Sequence, residues 1–188
     1  MAGLYVLIGL VALLFVAIVL MYNRLVQKRQ MVSNGWSDID VQLKRRSNLI
    51  PNLVETVKAY AGHERELFAE ITAKRTAAAS AGDNLDERAQ AENALSQPVG
   101  RLMAVAEAYP DLKASENFRD LQKELSDTET RIEMARRFYN GAVREYNIVI
   151  QTVPSNLIAG PFGFRLADYF EIETSERAMP DVSFGASS

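Results

Sequence analysis

The side chains best suited to catalysis and metal binding are few in this sequence. His63 is the one histidine, and there is no cysteine. A zinc site built from several His or Cys ligands, a disulfide and a Cys nucleophile are therefore excluded. His63 lies in Ala-Gly-His-Glu, and no Gly-x-Ser-x-Gly element accompanies it. These two facts argue against a hydrolase triad.

Acidic side chains that could act as a general acid and base lie close together further along the chain. They are Glu124, Asp127, Glu129 and Glu133. Lys and Arg residues alternate with them, as on a solvated helix face, and we favour that interpretation over acid–base catalysis. The Gly-Pro-Phe-Gly stretch at residues 160–163 is neither a Walker loop nor a dinucleotide fingerprint. We expect no enzyme activity, and no metal, cofactor or small-molecule substrate.

Basic residues form two groups in the first quarter of the chain. They are Arg24, Lys28 and Arg29, followed by Lys44, Arg45 and Arg46. The net charge of -3 gives no global positive field, which argues against a nucleic-acid partner. The second group could bind phosphates, but on a helix near a membrane it serves equally as a topology signal or as attraction to anionic lipid. We predict that all six residues are lipid-proximal.

An apolar segment precedes these charges and must position them. Residues 2–23 carry no charge, and about 20 apolar residues suffice for a helix to cross a bilayer. A cleaved signal peptide is the alternative, but the basic start and the small residues of a cleavage site are missing. The basic residues that follow place the bulk of the protein in the cytoplasm and the N-terminus outside, by the positive-inside rule.

Beyond this anchor, apolar residues recur in steps of three and four, which predicts a helix with a heptad seam as in a coiled coil. This helix A continues to about Ala79, with Pro51 inside it as a predicted kink. Only Arg46 and Glu64 interrupt its stripe. The first part of helix A carries apolar side chains, and leaving them uncovered would expose apolar surface to water.

Two more helices follow from turn signals and from the same periodicity. Helix B spans about residues 85–109, after a turn in which Asp and Asn can cap it. The Tyr-Pro-Asp-Leu stretch closes helix B, Ser115 caps helix C, and Pro154 ends helix C. Apolar stripes at this spacing are bundle core far more often than cofactor linings.

Helix lengths raise the question of what covers the stem of helix A. At about 1.5 Å per residue, helix B folded back on helix A reaches only to about residue 54. The stem of residues 24–50 is therefore expected to have no partner among helices A, B and C. Its apolar residues Trp36, Ile39 and Leu43 predict an interface, covered by the C-terminal tail, other copies of the chain or another protein.

The chain after Pro154 is rich in apolar residues, Gly and Pro, and it predicts a short flap. The flap either packs on the bundle or touches lipid or a neighbouring subunit through Leu157, Ile158, Phe162 and Phe164. Residues 173–188 have few bulky apolar residues and are predicted to be disordered. The fold class is all-α: an N-terminal transmembrane helix (1–23), an elongated antiparallel bundle of three long helices (24–154), and the flap (155–172).

Several motifs are too specific to be generic bundle sequence. They are Trp-Ser-Asp-Ile-Asp-Val-Gln-Leu at 36–43, Leu-Ile-Pro-Asn-Leu-Val at 49–54, Tyr-Pro-Asp-Leu at 109–112 and Phe-Gly-Phe at 162–164. With them, most of the chain after the anchor closely resembles the bacterial LemA family. The resemblance implies a single-pass membrane protein with a long-helix bundle, N-terminus out and C-terminus in, related to magnetosome membrane proteins. It supplies no catalytic residues.

The leading hypothesis is a non-catalytic scaffold on the cytoplasmic face of the bacterial inner membrane. It would form homo-oligomers through the stem and organise the membrane or partner membrane proteins. The alternative is a lipid-binding, membrane-shaping module acting through the basic stem and the flap. An enzyme using the carboxylates of helix C ranks last.

Overall fold

The computed structural model describes residues 1–82 and 84–171, and every regular element in that part of the chain is a helix. The predicted all-α class is confirmed. The helices are α1 (Ala2–Lys58), α2 (Arg65–Ser80), α3 (Leu85–Glu107), α4 (Pro110–Ala114), α5 (Glu116–Gln151) and α6 (Asn156–Ala159). Residues 173–188, predicted to be disordered, lie outside the described residues.

Helix α1 joins the apolar segment to the bundle without interruption. Its first part is long and apolar enough to cross a membrane, and none of that span is buried. Downstream, one face of the same helix carries core residues from Leu25 to Val57. Pro51 lies inside α1 and does not end it. The apolar span and the first core helix are thus one continuous helix.

Helix α5 packs antiparallel to α1 along the stem. Lys28 Nζ lies 2.6 Å from Glu145 Oε2, and Arg45 Nη2 lies 2.9 Å from Glu124 Oε1. The expectation that residues 24–50 lack a partner among the three predicted helices is therefore wrong. The length argument considered only helix B, whereas α5 has 36 residues, about 54 Å, and reaches the stem from the opposite end.

The predicted helix A is divided, which is a second correction. Helix α1 ends at Lys58, and α2 folds back along it, so that Arg75 Nε donates to the Ser47 carbonyl at 2.8 Å. Gly62 lies in the connecting residues 59–64, where its low helix propensity favours a break. The reversal lets Ile71 bury its side chain beside Ile50 in the same core.

Helix α3 completes a four-helix arrangement at the end of the molecule farthest from the apolar span. Asn84 caps it, because its Oδ1 accepts from the backbone N–H groups of Asp86 and Glu87, as the turn pattern predicted. Helices α1, α2, α3 and α5 share the core there. It is built from Ile50, Leu53, Val57, Ile71, Leu95, Leu102, Leu112 and their neighbours.

The C-terminal segment closes the other half of the molecule, where only α1 and α5 are long enough to extend. After α6 the chain turns at Gly163, whose φ of 73° suits glycine, and runs back over α1 and α5. Ile158 and Phe164 are buried there, whereas Leu157 and Phe162 are exposed. The flap therefore packs on the bundle through two of its four predicted residues.

Candidate functional site

A buried ion cluster joins three helices in the middle of the bundle. The Arg46 guanidinium, 4% exposed, donates to Glu92, whose side chain is 3% exposed. Its Nη1 lies 3.0 Å from Glu129 Oε1 and 3.2 Å from Ser96 Oγ. Arg88 extends the cluster, with Nε 3.4 Å from Glu92 Oε1. Arg46 therefore ties α1 to α3 and α5.

The electrostatics of this cluster are those of a permanent ion pair. Burial lowers the pKa of Arg46, but the carboxylates of Glu129 and Glu92 outweigh burial, so the pKa is raised overall. A guanidinium held in its charged form cannot exchange a proton near neutral pH. Arg46 therefore serves to hold the three helices together.

The predicted lipid contact of the second basic group is not supported by its position. Arg46 is buried, so its assignment as lipid-proximal is wrong. Lys44 pairs with Asp40 at 2.6 Å, and Arg45 pairs with Glu124 at 2.9 Å. All three lie about 30 Å along α1 from the end of the apolar span, beyond the screening length of about 10 Å.

The first basic group lies where α1 leaves the apolar span. Arg24 is exposed, and Lys28 pairs with Glu145. The Arg29 guanidinium lies over the ring of Phe164, 5.1 Å from its centroid, in cation–π geometry. All three follow the apolar span directly along α1, and their closeness to lipid stays a prediction.

Apolar residues also pack together where α1 leaves the apolar span. Ile18 and Met21, in the last turns of the apolar span, pack against the cluster that contains Ile158 and Phe164. Tyr22 contacts Phe164 edge-on, with ring centroids 5.6 Å apart. The α6 turn therefore lies beside the last turns of the apolar span.

Several apolar side chains beside the end of the span are exposed. Val153, Leu157 and Phe162 are 72%, 70% and 56% exposed, although α6 itself lies against the anchor. Phe162 also contacts Tyr22, with ring centroids 5.2 Å apart. The base, defined as Tyr22 together with Val153, Leu157 and Phe162, combines exposed apolar surface with nearby cations.

The predicted stem interface is covered by the chain itself. Ile39 and Leu43 are fully buried among residues of α5 and α3. Trp36 contacts Tyr139 and Phe170, with ring centroids 6.1 and 5.3 Å apart. Of the three covers considered for the stem, the structure shows the C-terminal tail, together with α5. Ile39 and Leu43 thus present no surface to a second copy.

Two asparagines on α5 hold the tail in place. Asn140 Nδ2 donates to the Phe170 carbonyl at 3.1 Å, and its Oδ1 accepts from the Phe170 N–H at 3.0 Å. Asn147 makes the same pair of hydrogen bonds with Ala167, both at 2.9 Å. Sequence reasoning missed these residues. Their signal was a spacing of two helical turns beside the apolar seam of α5.

The four acidic residues considered for catalysis lie on α5, and three of them form ion pairs. Glu124, Glu129 and Glu133 each pair with an arginine of the chain. His63 is exposed in the connection between α1 and α2. Within residues 1–82 and 84–171, no group of three or more His, Cys, Asp or Glu side chains could hold a metal ion.

Comparison with known proteins gives one family. Residues 35–184 match the model of the LemA family. Magnetosome protein MamQ 2 of Paramagnetospirillum magneticum is 30% identical over 183 residues, which cover 84% of this chain and 67% of that protein. Protein LemA of Metamycoplasma hominis is 26% identical over 161 residues, which cover 86% of this chain and 74% of that protein.

Proposed function

Because this chain belongs to the LemA family, we propose that it is a non-catalytic helical scaffold that is anchored in a membrane, self-associates and organises the membrane or its protein partners. The observation that carries the proposal is the continuity of α1 from the apolar span into the bundle core. A continuous helix fixes the direction in which the bundle leaves the membrane. Such a protein holds its partner-binding surfaces at a fixed distance from the membrane surface.

The dimensions of the molecule support this role. Helix α1 extends about 50 Å beyond Asn23, and α5 runs beside it for most of that length. Ile18 and Met21 of the span pack against the cluster that contains Ile158 and Phe164, which limits swinging of the bundle about the anchor. The relatives named magnetosome proteins support a membrane-associated helical protein.

Orientation belongs to the same proposal. We propose that the bundle faces the cytoplasm from the inner membrane, because Arg24, Lys28 and Arg29 follow the span directly. The chain has no cysteine, so single substitutions give clean labels. A membrane-impermeant maleimide applied to intact cells should label Gly3→Cys and spare the exposed Glu66→Cys in α2. Labelling of Glu66→Cys alone would reverse the orientation.

A rigidity test addresses the scaffold itself. A flexible Gly-Ser insertion between Asn23 and Arg24 leaves the span and the bundle sequence intact but removes their continuity. We expect crosslinking in cells, followed by mass spectrometry, to capture copies of the wild type with one another or with a recurrent partner. The insertion variant should lose most of these crosslinks at equal membrane abundance.

The matched control is an insertion of the same length at residue 82, in the connection between α2 and α3, which leaves α1 unbroken. It should retain the wild-type crosslinks. A wild type that crosslinks to nothing and is strictly monomeric in lipid nanodiscs would overturn the scaffold proposal.

A second candidate function is favoured by the exposed apolar residues of the base. A lipid-contacting module needs apolar side chains at interface depth beside cations. Leu157 and Phe162 are exposed, Phe162 contacts Tyr22, and Arg29 lies over the neighbouring Phe164. In this alternative the base inserts into the headgroup region and shapes the bilayer around the anchor.

Depth-dependent quenching tests the second candidate in the full chain. With Trp36→Phe as background, Phe162→Trp places one tryptophan at the base, and brominated lipids should quench it. Phe138→Trp, also on an exposed side chain but about 20 Å along the stem, is the control and should not be quenched. Equal quenching of the two, or none of Phe162→Trp, would count against lipid contact by the base.

A further inference from the structure

We propose that the surface between α1 and α5 is a binding groove for an extended peptide, that residues 165–171 occupy it as an intramolecular ligand, and that the same segment of a second copy can take their place. The groove is defined by Trp36 on α1 and by Tyr139, Asn140 and Asn147 on α5. The proposal rests on the proposed self-association of the scaffold and supplies a route for it.

The tail is held in the manner of a peptide ligand. Between Ala167 and Phe170 it passes from Asn147 to Asn140, a rise of about 10 Å along α5. Three residues that cover about 10 Å are extended, since a chain reaches at most about 3.6 Å per residue. Each asparagine side chain donates to the carbonyl of one tail residue and accepts from the N–H of the same residue. This recognition reads backbone and tolerates varied side chains.

One side chain anchors the segment. Phe170 is fully buried, edge-on to Trp36, and packs in the cluster that contains Ile39 and Leu43. The Tyr139 hydroxyl donates to the Asp168 carbonyl at 2.9 Å and adds a further backbone contact. The ligand class is thus an extended peptide with an aromatic residue at the end of the groove that contains Trp36.

The membrane anchor favours a second copy as the outside ligand. Every copy leaves the bilayer through the same α1, so neighbouring copies present the groove and the tail at the same height. The tail of a second copy has the same sequence, and exchange of an identical element requires no new interface. The apolar floor at Ile39 and Leu43 is then covered in either arrangement.

Trp36 reports occupancy of the groove, because it is the chain's one tryptophan and touches Phe170. A chain ending at Phe164 should show red-shifted Trp36 emission in nanodiscs, and a synthetic peptide of residues 165–171 should reverse the shift. The peptide with Phe170→Ala should bind at least about tenfold more weakly. Asn140→Ala with Asn147→Ala should weaken binding by about tenfold or more, since a net hydrogen bond contributes about 1 kcal/mol.

Asn52→Ala, at an exposed position of α1 outside the groove, is the matched control and should leave peptide binding unchanged. Should the shortened chain fail to fold, full-length Phe170→Ala provides the same vacant pocket with the rest of the tail in place. A peptide that binds neither protein, or that binds equally well without the two asparagines, would overturn the groove.

Exchange between copies is tested with two tagged full-length chains in one membrane. One lacks residues 165–188 and keeps the groove, and the other keeps the tail but carries Asn140→Ala with Asn147→Ala. We expect them to co-purify, and Phe170→Ala in the tail donor should abolish this. If they do not co-purify while wild-type copies still crosslink, exchange is refuted and the scaffold proposal stands.

Discussion

Replacing Arg46 by methionine tests whether the buried ion cluster holds the bundle together. Arg46→Met keeps a long side chain but leaves Glu92, 3% exposed, without its main partner. Removing one member of a buried pair typically costs about 3–5 kcal/mol. Arg88 stays within 3.4 Å of Glu92, and Glu129 is half-exposed and can hydrate. We therefore expect a loss near the lower limit, about 3 kcal/mol.

The double variant Arg46→Met with Glu92→Met tests whether the loss of stability comes from the unpaired buried charge that the single variant leaves behind. It removes both charges, and Arg88 keeps Asp40 at 3.2 Å. Replacing a whole buried pair by apolar side chains of similar volume is often neutral or stabilising. The double variant should therefore be at least as stable as Arg46→Met, and within about 1 kcal/mol of the wild type.

Thermal unfolding followed by far-ultraviolet circular dichroism, in one detergent throughout, measures both. At about 2–4 °C per kcal/mol for a chain of this size, Arg46→Met should lower Tm by roughly 6–12 °C. Arg137→Met, which breaks an exposed pair with Glu133, should stay within about 2 °C. An Arg46→Met variant that melts with the wild type, or a double variant less stable than the single one, would refute the reasoning.

Three further predictions use the same melting assay. Gly35→Ala should lower Tm, because its Cβ would lie 3.1 Å from the Tyr139 Cα, whereas Gly141→Ala meets nothing within 4 Å and should raise it. Asn84→Ala should cost about 1 kcal/mol by removing a helix cap, and Ser115→Ala should cost less, because the Ser115 side chain makes no capping hydrogen bond. Burial, with a smaller contribution from a nearby carboxylate, raises the pKa of Tyr139 to about 12. The protonated Tyr139 phenol therefore makes its full contribution to stability below about pH 10, and this contribution is lost as pH rises through about 12. Tyr139→Phe should flatten the decline of Tm in that window.

Local patterns were enough to predict the apolar N-terminal helix, the helix class and most helix ends. The uncharged run before Arg24 lies in a helix that is long and apolar enough to cross a membrane. Pro110 and Pro154 mark boundaries because proline restricts the residue before it, and Asn84 caps because its side chain can accept backbone N–H groups. Each of these signals lies within a few residues of the feature it predicts.

Arrangement in space was harder to predict, although the sequence marked where the pattern fails. The two residues that interrupt the stripe of helix A are Arg46 and Glu64. Arg46 occupies a core position and pairs with the buried Glu92 of α3 and the half-exposed Glu129 of α5, and Glu64 lies where α1 has ended and α2 begins. A break in periodicity indicated a departure from a simple helix in both cases. It could not say whether the cause was a buried charge or a chain reversal.

The tail contacts depend on residues far apart in sequence. Asn140 and Phe170 are separated by 30 positions, and nothing in either neighbourhood names the other. Trp36, Ile39 and Leu43 were predicted to form an interface because their apolar side chains needed cover, and the chain's own α5 and tail pack against them. Which element covers them depends on how far α5 and the tail extend, and only the folded chain determines that.

Under the proposed membrane anchoring, the unbroken helix α1 would act as a lever. A span longer or shorter than the local hydrocarbon thickness adjusts by tilting, and a tilt of about 10° would displace the far end of α1 by roughly 9 Å. We therefore expect small differences in bilayer thickness to move the four-helix end sideways, so that the positions of the surfaces carried by α2 and α3 depend on the surrounding lipid.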